Sequence, residues 1–123
     1  MDESFSALEK RILLKAGSLD PSADIALEQL QLAVVTKRQN TGKGIFVHFQ
    51  ASADVRQITE SSGRILIGSQ KLSLSHPRLS QGADVIIWIE NGFMDCLEMC
   101  VFADEPWPTG EDDSFEFQYW PAE

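Results

Sequence analysis

The dipeptide Asn91-Gly92 constrains this chain more than any other feature. It stands between two apolar runs, Val85-Ile86-Ile87-Trp88-Ile89 and the stretch from Phe93 to Phe102. Both residues of a tight hairpin turn must adopt positive φ, which asparagine and glycine tolerate best. An antiparallel hairpin with strands over about 84–90 and 93–102 is therefore expected, and the rest of the fold must accommodate it. Regular pairing from that turn sets Glu90 opposite Phe93, Ile89 opposite Met94, Trp88 opposite Asp95, Ile87 opposite Cys96 and Val85 opposite Glu98. One face then carries Val85, Ile87, Ile89, Met94, Cys96, Glu98 and Cys100. The other carries Ile86, Trp88, Phe93, Asp95, Leu97, Met99 and Val101. Both faces are largely apolar, which predicts a central hairpin covered on both sides.

The flanking sequence places helices before this hairpin and strands around it. Ser6 and Glu9 form a capping box, Leu8, Ile12, Leu13 and Ala16 recur at helical spacing, and Gly17 terminates a helix over 6–16. Asp20-Pro21 opens a second helix with Ala23, Ala26, Leu27 and Leu30 as its buried stripe. From Leu30 the pattern also fits period two, so a strand from about Leu32 competes. With no breaker in between, the helix is expected to run to about Lys37. Asn40-Thr41-Gly42-Lys43-Gly44 is turn chemistry, followed by a strand with Ile45, Val47 and Phe49 on one face. Arg64–Ile67 and Lys71–Leu74 read as short strands, and Ser114–Trp120 as a final one. The sum is a single α+β domain over 1–123: two N-terminal helices, then an antiparallel sheet of about five to six strands.

Charge and cysteine usage narrow the functional classes. The formal net charge is −9, but residues 1–78 carry all ten Lys and Arg against eight acids, while residues 79–123 carry eleven acids and no Lys or Arg. Such an asymmetry points to an acidic face for a basic protein partner. It argues against nucleic acid, since the densest basic cluster is only Lys37, Arg38 and Lys43, and against anionic membrane surfaces. The acidic start lacks a basic leader and no apolar run could span a bilayer, so a cytoplasmic location is expected. Cys96 and Cys100, four apart on a strand, would lie roughly 13 Å from each other. That is too far for a disulfide or for one metal ion held by both. No metal-binding spacing or nucleophile elbow is present, and no cofactor or metal is expected. Thr41-Gly42-Lys43-Gly44 lacks the first glycine and the hydroxyl of a phosphate-binding loop, and a strand follows it.

Two sets of residues remain as candidate sites. Glu98, a carboxylate in an apolar row, would need a partner such as Arg38, Arg56 or Arg64, or would sit in a pocket as a general acid or base, or else the strand bulges or ends there and leaves it solvated. Asp95 stands opposite Trp88 on the same hairpin, and His48 and His76, the two histidines, are candidate partners for Glu98 or Asp95 that the linear sequence does not place beside them. The second set is the loop Asp104–Ser114, where Asp104, Glu105, Glu111, Asp112 and Asp113 surround Trp107. An aromatic anchor ringed by polar groups is the composition of a protein-binding hot spot.

The segments Lys37-Arg38-Gln39-Asn40-Thr41-Gly42-Lys43-Gly44-Ile45-Phe46, Glu90-Asn91-Gly92 through Leu97-Glu98, and Pro106-Trp107-Pro108 resemble a group of small uncharacterised bacterial proteins. Similar hairpins occur in immunity proteins of bacterial toxin systems, which are small, acidic and cytoplasmic. The resemblance implies no catalytic residues. The expected function is a non-enzymatic, immunity-like or regulatory protein that binds a basic partner. The alternative is a small-molecule site or modest hydrolase using Glu98 and a histidine. An acidic mimic of DNA is a third, for which the clustered loop acids are poorly spaced.

Overall fold

The computed structural model describes residues 5–51, 54–59 and 64–119. Helices α1 (Ala7–Ser18) and α2 (Ala23–Gln31) precede six strands: β1 (Val34–Asn40), β2 (Gly44–Gln50), β3 (Leu72–Ser75), β4 (Ala83–Glu90), β5 (Phe93–Val101) and β6 (Glu116–Tyr119). They form one antiparallel sheet in the order β1-β2-β5-β4-β3-β6, an α+β fold.

Local chemistry sets several boundaries. In α1, the Ser6 side chain accepts from the Glu9 N–H at 3.1 Å, and Glu9 Oε1 accepts from the Ser6 N–H at 2.8 Å. This reciprocal cap satisfies two donors that the first helical turn leaves free. Asn91 and Gly92 sit at φ 55° and 84°, as the tight turn requires. The second helix departs from expectation. It begins after Ser22, ends at Gln31, and the segment expected to continue it to Lys37 is instead strand β1. The β-branched run Val34-Val35-Thr36 pairs with β2 through the Asn40–Gly44 turn, with Val35 against Phe49. Six of its seven residues gain a partner on β2 that a lone helical extension would lack, and tertiary pairing overrides the continuity of the helical pattern. Arg64–Ile67 contributes only a bridge between Ile65 and Trp88, and Ile67–Lys71 is a 3-10 helix. The final strand is shorter than expected, and Trp120 lies outside the described residues.

Helices cover one face of the sheet. Leu8, Ile12, Leu13, Ala16 and Ala26 pack on Val47, Phe49, Leu74, Val85, Ile87, Leu97 and Met99 in one core. A single stretch of α1 reaches both sheet edges. Glu9 pairs with Arg38 of β1 at 2.7 Å, while Arg11 donates to the Phe115 carbonyl at 3.3 Å and lies over the Phe117 ring of β6. The long side chains of Arg38 and Arg11 let this one helix tie both edge strands of the sheet. Asp20 ties the helix–helix linker to the 3-10 helix by accepting from the Gly68 N–H at 2.8 Å. A Cβ at Gly68 would lie 2.0 Å from the Ala16 carbonyl oxygen, so only glycine permits that approach.

Candidate functional site

The decisive feature of the central hairpin is a β-bulge. Pairing is regular through Glu90–Phe93 and Ile89–Met94, and then Trp88 pairs with Cys96, so Asp95 is the extra residue. Beyond it, Ile87 pairs with Leu97, Ile86 with Glu98 and Val85 with Met99. One inserted residue reverses the facing of everything that follows it. Leu97, Met99 and Val101 therefore turn into the core, and Glu98 and Cys100 turn out. The regular register expected from the turn is thus corrected by one residue. Its driving force is burial, because three large apolar side chains replace a cysteine pair and a carboxylate on the core face. The expectation of cover on both sides is corrected as well. Ile86, Trp88, Glu98 and Cys100 are half-exposed, and no helix among the described residues lies over them.

The outer face of the sheet brings Glu98, His48, Asp95 and Trp88 together. Along one row lie Lys37, His48, Cys96 and Trp88, and along the next Gln39, Phe46, Glu98 and Ile86. Trp88 Nε1 donates to Glu98 Oε1 at 3.0 Å, a diagonal contact between β4 and β5. Phe46 and His48 stack with ring centroids 6.4 Å apart. Asp84, Glu90 and Asp95 complete the carboxylates of this face. Burial raises the pKa of Asp84 against a lowering bond from the Val85 N–H. Burial and the charge of Glu90 raise that of Asp95, while His48 and Arg64 act in the opposite sense. Burial and the charges of Asp95 and Glu98 push the Cys96 thiol up to about 11. It is therefore neutral near pH 7 and a poor nucleophile. Both cysteines are free.

Among the described residues, no hydrogen bond joins Glu98 to His48 or His76. Glu98 is held by Trp88, and none of the arginines considered for it is its partner: Arg38 pairs with Glu9, Arg56 with Asp24 and Glu28, and Arg64 with Glu90. His76 is buried and fully engaged. Its Nδ1 accepts from the Arg78 N–H at 3.1 Å, its Nε2 lies 3.0 Å from the Glu111 carbonyl, and its ring packs on Phe115. Since a carbonyl only accepts, Nε2 carries the proton and this histidine is a structural tie.

The acidic loop is also rearranged relative to expectation. Trp107 is 5% exposed, stacks on Phe115 with centroids 4.9 Å apart and belongs to the core, so it is corrected from surface anchor to core residue. Asp104 pairs with Lys43 at 2.5 Å, and Glu111 with Arg78 at 2.6 Å. Glu105 accepts from the backbone and hydroxyl of Ser80, each at 3.0 Å. Asp112 and Asp113 remain exposed on a short 3-10 turn. The basic N-terminal and acidic C-terminal portions of the sequence thus meet in space at Lys43–Asp104, Arg64–Glu90 and Arg78–Glu111.

Compared with protein-family models, curated proteins and solved structures, the chain matches none of them. Among the described residues, no His/Cys/Asp/Glu group could hold a metal ion, and no helix is long and apolar enough to cross a membrane. One site feature escaped the sequence reading: a depression of about 260 Å³ lined by Phe49, Gln50, Ala51, Phe93, Met94 and Asp95. The signal for the bulge behind it was present. The large apolar residues Met94, Leu97, Met99 and Val101 are spaced three, two and two, and the odd interval marks a change of face.

Proposed function

We propose that this is a non-enzymatic binding protein that engages a basic protein through the outer face of the β4–β5 hairpin, in the manner of an immunity protein or a regulatory adaptor. One observation carries the reading. The aromatic and aliphatic side chains of Phe46, Ile86 and Trp88 are half-exposed on an uncovered sheet face, among the carboxylates of Asp84, Glu90, Asp95 and Glu98. Apolar area beside an excess of carboxylates, set against Lys37 and the Glu90-bound Arg64, gives a partner both burial and electrostatic direction. This arrangement also moves the surface proposed from sequence. The hairpin face takes precedence over the Asp104–Asp113 loop because it sets solvent-accessible aromatic and aliphatic side chains beside its carboxylates, whereas the loop's Trp107 is core.

The test is an amide NMR titration with an acetylated, amidated peptide of four arginines in an alanine background. Shifts are expected at residues 84–90 and 95–100 and at Phe46 and His48, with affinity falling about tenfold between 50 and 300 mM NaCl. Shifts confined to Asp112 and Asp113, or binding that ignores salt, would overturn the assignment, as would no binding at low salt.

A further inference from the structure

The bulge does more than reverse a strand. It leaves Asp95 in the wall of the depression at the end of β2 and the start of β5, whose other surfaces are largely apolar. Met94 and Phe49 form its floor from the core side, and Phe93, Gln50 and Ala51 are more open to solvent. Bulges recur beside binding sites because they re-aim one side chain without disturbing the rest of the strand. Here the re-aimed side chain is a half-buried carboxylate. Among the described residues its charged neighbours are Glu90, which repels it, and His48 and Arg64, which act on it through space. Arg64 itself is committed to Glu90 at 2.8 Å. An apolar recess with one carboxylate at its wall matches a side chain with an aliphatic stem and a cationic head, the chemistry of lysine and arginine.

We infer that this depression is the anchoring subsite for one basic side chain of the partner, its stem against Phe93, Ala51 and Met94 and its charge on Asp95. The inference rests on the proposed binding of a basic protein, and it assigns that surface a position for the dominant contact.

Two probes separate this inference from the broader reading. n-Butylguanidinium and n-butylammonium imitate single arginine and lysine side chains, and n-butanol is the uncharged control. With methyl-labelled protein, both cations are expected to shift the Met94 and Ala51 methyl signals saturably, and butanol is not. Asp95→Asn should weaken the cations at least about tenfold, and Asp95→Glu, which keeps the charge, should retain binding. Equal shifts with butanol, or undiminished binding to Asp95→Asn, would overturn the subsite. The arginine peptide then decides the surface independently. If it still shifts residues 84–90 while Met94 stays unmoved, the subsite is wrong and the surface stands. If the small cations bind and the peptide does not, the proposed protein partner is wrong.

Discussion

Gln29 shows how one residue can set the geometry of the site. It is 1% exposed, and its side chain donates to the carbonyls of Arg56 and Gly92 at 2.8 and 2.9 Å while accepting from the Met94 N–H at 3.0 Å. A helical side chain thus fixes the hairpin turn, the start of β5 and the segment carrying Ile58, whose own N–H donates to Gly92. Nothing in the local sequence marks it, since a glutamine on a helix is ordinarily solvated. Replacing it by leucine keeps the volume but strands the buried Met94 N–H, at about 1–3 kcal/mol, and removes its bonds to the part-buried Arg56 and Gly92 carbonyls, the latter keeping Ile58. Gln29→Leu is expected to lose about 3 kcal/mol of stability in urea titrations. A loss below about 0.5 kcal/mol would show that water serves these groups equally well.

At the scale of the element, the bulge is the part of the site that local propensity could not supply. The turn was legible because positive φ at Asn91 and Gly92 is a property of two residues. The facing of Glu98 was not, because it depends on β5 satisfying β2 and β4 together, with His48 and Trp88 both opposite Cys96. The same reasoning explains β1, where pairing with β2 defeats a helical continuation. Deleting Asp95 removes the extra residue and makes the pairing regular, with Trp88 still opposite Cys96 and Leu97, Met99 and Val101 still on the core face. The deletion variant is therefore expected to keep a cooperative thermal transition by circular dichroism. Loss of that transition would mean that the bulge itself, and not only the pairing on either side of it, holds the hairpin in place. The free edges are guarded against sheet extension: Lys37 and a second irregularity between Val35 and Lys37 interrupt β1, and β6 is only four residues long.

For the molecule as a whole, the net charge of −9 bears on stability as well as on partners. Asp84 and Asp95 have pKa values raised by burial, so each binds its proton more tightly in the folded state than in the unfolded state. Stability therefore falls as pH rises from the ordinary aspartate value through the raised one, and the penalty is fully present at neutral pH. Asp84→Asn, which keeps an acceptor for the Val85 N–H, is expected to melt slightly above the wild type at pH 7. The difference should close as pH falls toward about 4. A gain that persists at pH 3.5 would trace to something other than the carboxylate charge. The linear charge split was plain in the sequence, yet its meaning changed on folding. The sequence alone determined the capping box, the hairpin turn, the order of helices before strands and the excess of acid. Only the tertiary structure decided which carboxylates share a face, that Trp107 is core, and that Asp95 stands at an apolar recess. The first group depends on neighbours within a few residues. The second depends on strands far apart in the chain competing to bury their apolar side chains on one sheet.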